Sequence, residues 1–292
     1  MAYCTALPHR GLVAAGGEDR IAFLQGMISN DMRHVEAGAA LWAAFLTPQG
    51  KFLHEFFVIP HGDTVLMECE RDRRDDLITR LSRYKLRAKV TLAALDTLNV
   101  GVAWGDDAST ALETTDRPGT VTVRGAGVFY TDPRLQGAGV RFALPPEQAG
   151  ALPLTPSTPD SYDVHRIGLG LPDGSRDLEV EKALLLENGF EELHGVDFKK
   201  GCYIGQELTA RTHYRALIKK RLMPVTIAGA TPLPGEALTL DGKDAGEMKS
   251  AAGANGLALV RLDAWKSGGS LTAGDTRITP VKPDWMQLPQ EQ

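Results

Sequence analysis

Cysteines and aromatic residues are scarce in this sequence and long apolar runs are absent, and each shortage removes a class of protein. Only Cys4, Cys69 and Cys202 occur in 292 residues. None stands at C-x-x-C spacing, which excludes a disulfide scaffold and a self-contained zinc or iron–sulfur site. No apolar stretch approaches the ~20 residues needed to span a bilayer, so no membrane role is expected. The start, "MAYCTALPHR", has neither the basic-then-apolar order of a secretory signal nor the Arg- and Ser-rich character of a transit peptide. With free cysteines, that points to a reducing bacterial cytoplasm. The "GAGV" pieces lack the strand–GxGxxG–helix context of a dinucleotide site.

What is present is an ordinary globular composition, 43% hydrophobic and 24% charged, with length enough for two domains. The first two hundred residues mix signals. Ile21, Leu24 and Ile28 in "GGEDRIAFLQGMISNDM" have helical spacing. "LWAAFLTPQGKFLHEFFVI" reads as a hairpin about Thr47-Pro48-Gln49-Gly50, and "RDRRDDLITRLSRYKL" as an amphipathic helix burying Leu77, Leu81 and Tyr84. After a Pro-rich connection at residues 153–159, "DSYDVHRIGLGLP" is a short helix. Beyond Arg215, "KKRLMPVTIAG", "EALTLDG", "LALVRL" and "RITPVK" are short strands between turns. The expectation is an α+β region over residues 1–215, then a small β-barrel over 216–292.

Charge is uneven. From Lys199 to Arg221 seven basic residues face one acidic residue, Glu207, so this segment carries +6 and the remainder −11. Such a patch suits an anion or an acidic partner. With Tyr203 and Tyr214 as its only aromatics, it is not read as a nucleic-acid binder. Within it, "KKGCYIGQELTARTHYR" holds Cys202. Good helix formers follow Gly205, with Glu207 and Arg211 at i and i+4. A helix starting near Gly205 would leave Cys202 just before its N-terminus, where the dipole, Lys199, Lys200 and Arg211 favour a thiolate. One thiolate cannot hold a cluster alone, so any metal would be shared with a second protein. The alternative is a small, inert, buried cysteine, the reading that suits Cys4 and Cys69.

The run Lys200-Gly201-Cys202-Tyr203-Ile204-Gly205-Gln206-Glu207 with Ala210-Arg211 resembles the K-G-C-[FY]-x-G-Q-E-x-x-A-R signature of the YgfZ-type folate-binding proteins. Through "LTARTH" and "KKRL" it is most similar to the branch of mitochondrial [4Fe–4S] assembly factors and their bacterial relatives. "FLQGMISND", "FLTPQGKFL" and "RIGLGLP" match further elements of the family. The resemblance implies a fold like the glycine-cleavage T-protein, with tetrahydrofolate in a central opening and a C-terminal barrel. It implies assembly or repair of iron–sulfur clusters, with an A-type carrier as partner and [4Fe–4S] enzymes as clients. Cys202 is then the reactive thiol and the ligand of a transient shared cluster. Asn30, Asp31, Glu55, Arg166, Lys200, Tyr203, Gln206, Glu207 and Arg211 become candidates for the folate and motif site.

Two departures bear on activity. Where T-proteins carry a paired aspartate after the hairpin glycine, this chain has His54 and Glu55. Where they carry a glutamate that anchors the pterin, it has Gly168. Losing that partner weakens pterin binding by about 1–3 kcal/mol. The leading expectation is an iron–sulfur assembly factor; a folate-dependent one-carbon transferase or demethylase is the alternative.

Overall fold

The computed structural model describes residues 1–215 and 218–288. The chain forms two compact units. One comprises Met1–Pro48, Leu53–Pro159 and Leu193–Gln206, and the other Gln49–Phe52, Asp160–Glu192 and Glu207–Gln292. The division expected between residues 215 and 216 falls beside residues 216–217, outside those described.

The first unit rests on two sheets. Five strands lie in the order Leu41–Leu46, Phe52–His61, Thr64–Glu70, Arg10–Gly16, Thr91–Leu95, and the first two are the hairpin read from the sequence. Six strands form the other: Thr155–Pro156, Tyr3–Ala6, Asn99–Trp104, Val140–Leu144, Gly127–Thr131, Val121–Arg124. Its pairs are antiparallel except at Tyr3↔Thr155. The helix Arg74–Ser82 buries Leu77 and Leu81, as its 3.6-residue spacing requires. Tyr84 is not buried with them and is 37% exposed, because the helix ends at Ser82 and its periodicity no longer aims the ring inward.

In the second unit a closed barrel runs Lys220–Ala228, Asn255–Arg261, Lys243–Ala252, Ala237–Leu240, Leu271–Ala273, Thr276–Pro280. It closes through the pairs from Val225↔Pro280 to Ala228↔Arg277. Met223, Val225, Leu238, Met248, Ala258, Val260 and Ile278 fill it. Two strands escape the sequence pattern. Lys243–Ala252, "KDAGEMKSAA", has little β-propensity and is a strand because it is paired on both sides. Leu271–Ala273 is too short for any alternation to show. The chain is thus α+β with a C-terminal β-barrel, as expected. Among the described residues no helix is long and apolar enough to cross a membrane.

Candidate functional site

In the first unit the folding brings together two segments, joined by side-chain hydrogen bonds between residues that lie 164 to 175 apart in sequence. The helix Arg20–Met27 ends at Ile28, leaving the carbonyls of its last turn without helical partners. Lys200, 7% exposed, fills that role: its Nζ donates to Gln25 O at 2.5 Å and Ile28 O at 2.8 Å. A cation is favoured at this end of a helix. Burial lowers its pKa to about 8, against the opposing pull of Asp31 and Asp197. The ammonium also lies 5.0 Å from the centre of the Tyr203 ring.

Gln25 completes the junction. Its Nε2 donates to Lys200 O at 3.0 Å and Asp31 Oδ1 at 3.2 Å, and its Oε1 accepts from Met32 N at 2.7 Å. The backbone adds Ile204 N to Gly26 O and Asp197 N to Ser29 O. Ser29 Oγ donates to Gly195 O at 2.6 Å. Cys202 is exposed on the loop held this way, four residues before the helix Gln206–Tyr214. Gly201 and Gly205, at φ 97° and 79°, shape the loop on either side of it. Tyr203 N donates to Gln206 Oε1 at 3.1 Å.

The remaining expected residues are placed as follows. Asn30 spans the junction, with Nδ2 donating to Trp42 O and His194 O at 2.8 and 2.7 Å and Oδ1 accepting from Asp31 N. The Arg33 side chain holds the Asp31 carboxyl down at about 2. Glu207 and Arg211 form the anticipated i,i+4 pair at 2.7 Å, more than half exposed on both sides and so worth at most about 1 kcal/mol. Arg166 lies in the second unit, buried. Its guanidinium donates to Asp163, Asp177, Leu171 O and Ser250 Oγ.

Glu55 belongs to a buried ionic cluster in the first unit that sequence reasoning missed. Its Oε1 accepts from Arg10 at 2.5 Å and its Oε2 from Trp42 Nε1 at 2.6 Å. Arg10 also donates to Glu68 Oε1 at 3.2 Å, and Tyr130 and Arg141 close on the same carboxylate. Asp132 takes Arg134 at 2.7 and 3.0 Å. The guanidinium groups of Arg10, Arg134 and Arg141 stand 5.8, 4.9 and 4.5 Å from the centre of the Phe57 ring. Three cations meet three carboxylates. Burial pushes the Glu68 carboxyl up, and Arg141 and Arg10 more than reverse it. The sequence does carry a signal for this cluster: Glu68 and Arg141 sit inside apolar strands, in "LMECE" and "VRFAL".

A pterin would meet residues that already have partners inside the protein. A pterin offers amino and ring N–H donors that need free acceptors, and the Glu55 carboxylate is already bound at both oxygens. Asn30 and Arg166 are engaged as described, and Gly168 offers no side chain. His54 is buried against Asp76 at 2.9 Å, its pKa lowered to about 4 first by burial and then by Arg73. Neither position of the T-protein aspartate pair therefore presents a free carboxylate. Among the described residues no group of three or more His, Cys, Asp or Glu is arranged to hold a metal ion.

Comparison with known proteins places these features. A family model described as the CAF17 C-terminal beta-barrel domain matches residues 219–288. The mitochondrial iron–sulfur cluster assembly factor IBA57 of Mus musculus is 33% identical, over 97% of this chain and 85% of its own length. The homolog from Pyricularia oryzae is 33% identical, over 89% of this chain and 72% of its own. That of Mycosarcoma maydis is 32% identical over 77% of this chain, which spans 58% of that longer protein. Among solved structures, the glycine cleavage system aminomethyltransferase T of Bartonella henselae superposes with TM-score 0.77 at 14% identity, covering 96% of this chain and 84% of that one. It shows a shared fold. The expected cytoplasmic setting is corrected by these relatives, all of which are named as mitochondrial. Free cysteines report a reducing compartment and do not say which one.

Proposed function

The chain belongs to the family of the IBA57 iron–sulfur cluster assembly factors, and on that premise we propose that it helps build clusters by offering Cys202 as one ligand to a cluster shared with a partner. The observation that carries this reading is the Cys202 loop. The thiol is exposed, yet its loop is fastened through Lys200 and Gln25 to the helix Arg20–Met27. A single cysteine so presented can supply one ligand but cannot complete a coordination sphere. The co-ligands would come from an A-type carrier, and the products would go to [4Fe–4S] client enzymes. The cluster is cargo here, not a resident cofactor.

The finer assignment to the YgfZ-type folate-binding proteins rests on the Lys200–Glu207 signature. Tetrahydrofolate is proposed as a ligand of the first unit, where it would have to compete with the internal partners of Asn30 and Glu55. Calorimetric titration with tetrahydrofolate reads this directly. The one-carbon transferase reading finds no comparable support at His54 and Glu55. Division of the chain at 215/216 is likewise proposed, with the barrel beginning at Lys220 in its favour.

The test is client activation. Apo-aconitase is incubated anaerobically with an A-type carrier, iron, sulfide and the protein. Recovery of activity that depends on the wild-type chain and fails with Cys202→Ser supports the reading. Equal recovery with the serine variant refutes it.

A further inference from the structure

The loop at residues 83–89, "RYKLRAK", carries four cations and no acid. At its tip Leu86 is 91% exposed and holds φ 42°, a left-handed backbone that a leucine adopts only at a cost. An apolar side chain kept in water on a strained backbone is unfavourable twice over in the isolated protein. Its position gives it a use. Lys89 N donates to Asp19 Oδ2 at 2.7 Å, and Asp19 stands immediately before the helix Arg20–Met27. At Gly17, φ 96°, a Cβ would sit 2.0 Å from Lys89 O, so only glycine permits this approach. The basic loop is therefore fixed to one end of the helix whose other end holds the Cys202 loop. Eight residues of helix separate them by about 12 Å, well inside one ordinary protein interface of roughly 800 Å² per partner.

Along this helix lies an open groove of about 600 Å³ with Ile21, Ala22 and Met32 on its lining and Arg20 and Arg33 among its charges.

We propose that Leu86, its flanking cations and this groove form the docking surface for an acidic face of the protein that shares the Cys202 cluster. The inference rests on the shared-cluster reading. Charge complementarity selects the partner: Arg83, Lys85 and Arg87 stand on a chain of net charge −5, while the Lys89 ammonium pairs with Glu18. A protein fits better than an anionic membrane, because a flat bilayer cannot enter a groove whose lining also includes Glu18 and Glu36.

Binding of the full chain to an A-type carrier is measured by biolayer interferometry at 50 and 300 mM salt. Leu86→Asn should weaken binding tenfold or more while leaving the melting temperature unchanged or higher, since asparagine accepts the left-handed backbone. Arg87→Glu should slow association and flatten its salt dependence. Val123→Asn, at another exposed apolar residue, should bind as wild type does. Leu86→Asn binding within twofold of wild type overturns the docking inference alone, provided the wild type still binds the carrier. A wild-type chain that does not bind overturns both readings. Loss of binding to phosphatidylserine vesicles with carrier affinity unchanged overturns it in favour of a membrane.

Discussion

Glu55→Gln should cost about 1.5–3 kcal/mol of stability, because Glu55 completes a buried charge balance. The substitution removes one carboxylate from a cluster of three guanidinium groups and three carboxylates. Trp42 Nε1 keeps an oxygen to donate to, at 2.6 Å in the native arrangement. Arg10 keeps Glu68 at 3.2 Å and the Glu68 carbonyl at 3.1 Å. What is lost is one charge-assisted hydrogen bond, worth about 1.5–3 kcal/mol. Arg10→Met is the harsher change, because Glu55 then stays buried with Trp42 alone; about 3–5 kcal/mol follows for a broken buried pair. The double variant removes both charges, so its cost should fall short of the sum by about 2 kcal/mol. Urea unfolding at pH 7, followed by far-UV circular dichroism, measures all three against a total of roughly 5–15 kcal/mol. A loss under about 1 kcal/mol for Glu55→Gln, with additive singles, would refute the argument and return Glu55 to the pool of ligand-binding groups.

Two further outcomes are expected. The His54 pKa is lowered to about 4 by burial, so the unfolded chain takes up this proton first. Its contribution is complete above about pH 6.5 and is lost as pH falls from there towards 4, on the order of 3 kcal/mol. Urea midpoints at pH 7 and 4.5 should converge in His54→Gln, and unchanged pH dependence in that variant would contradict the assignment. In native thiol labelling, Cys202 should react fast and Cys4, half-buried, more slowly. Cys69, which burial pushes up to about 12, should stay silent until the chain unfolds; rapid labelling of Cys69 would show that its strand is not closed.

Much of the fold is legible where local signals agree with tertiary ones. Leu77 and Leu81 mark their helix, and the apolar runs on either side of Pro48 and Gly50 mark their hairpin. The start of the helix Gln206–Tyr214 follows from the glycine and the helix formers after it. Lys243–Ala252 is illegible because its neighbours, not its residues, make it a strand. At the site, the Cys202 motif is visible, but the direction of Lys200 is not. Spacing suggests an ammonium beside the thiol, whereas the fold turns it toward carbonyls 175 and 172 residues earlier, at the end of a helix. Gln25 and Trp42 act through contacts that no local pattern encodes. Glu55 and Arg166 show what the sequence hides: polar residues in family-like positions that make hydrogen bonds inside the protein.

The most direct measurement is the absorption spectrum of the purified protein mixed anaerobically with an A-type carrier, iron and sulfide, compared with the same mixture made with Cys202→Ser. A cluster chromophore in the joint complex that needs both proteins and disappears with the serine variant is the predicted result. No chromophore in the wild-type complex, or the same chromophore without the thiol, would contradict shared ligation by Cys202.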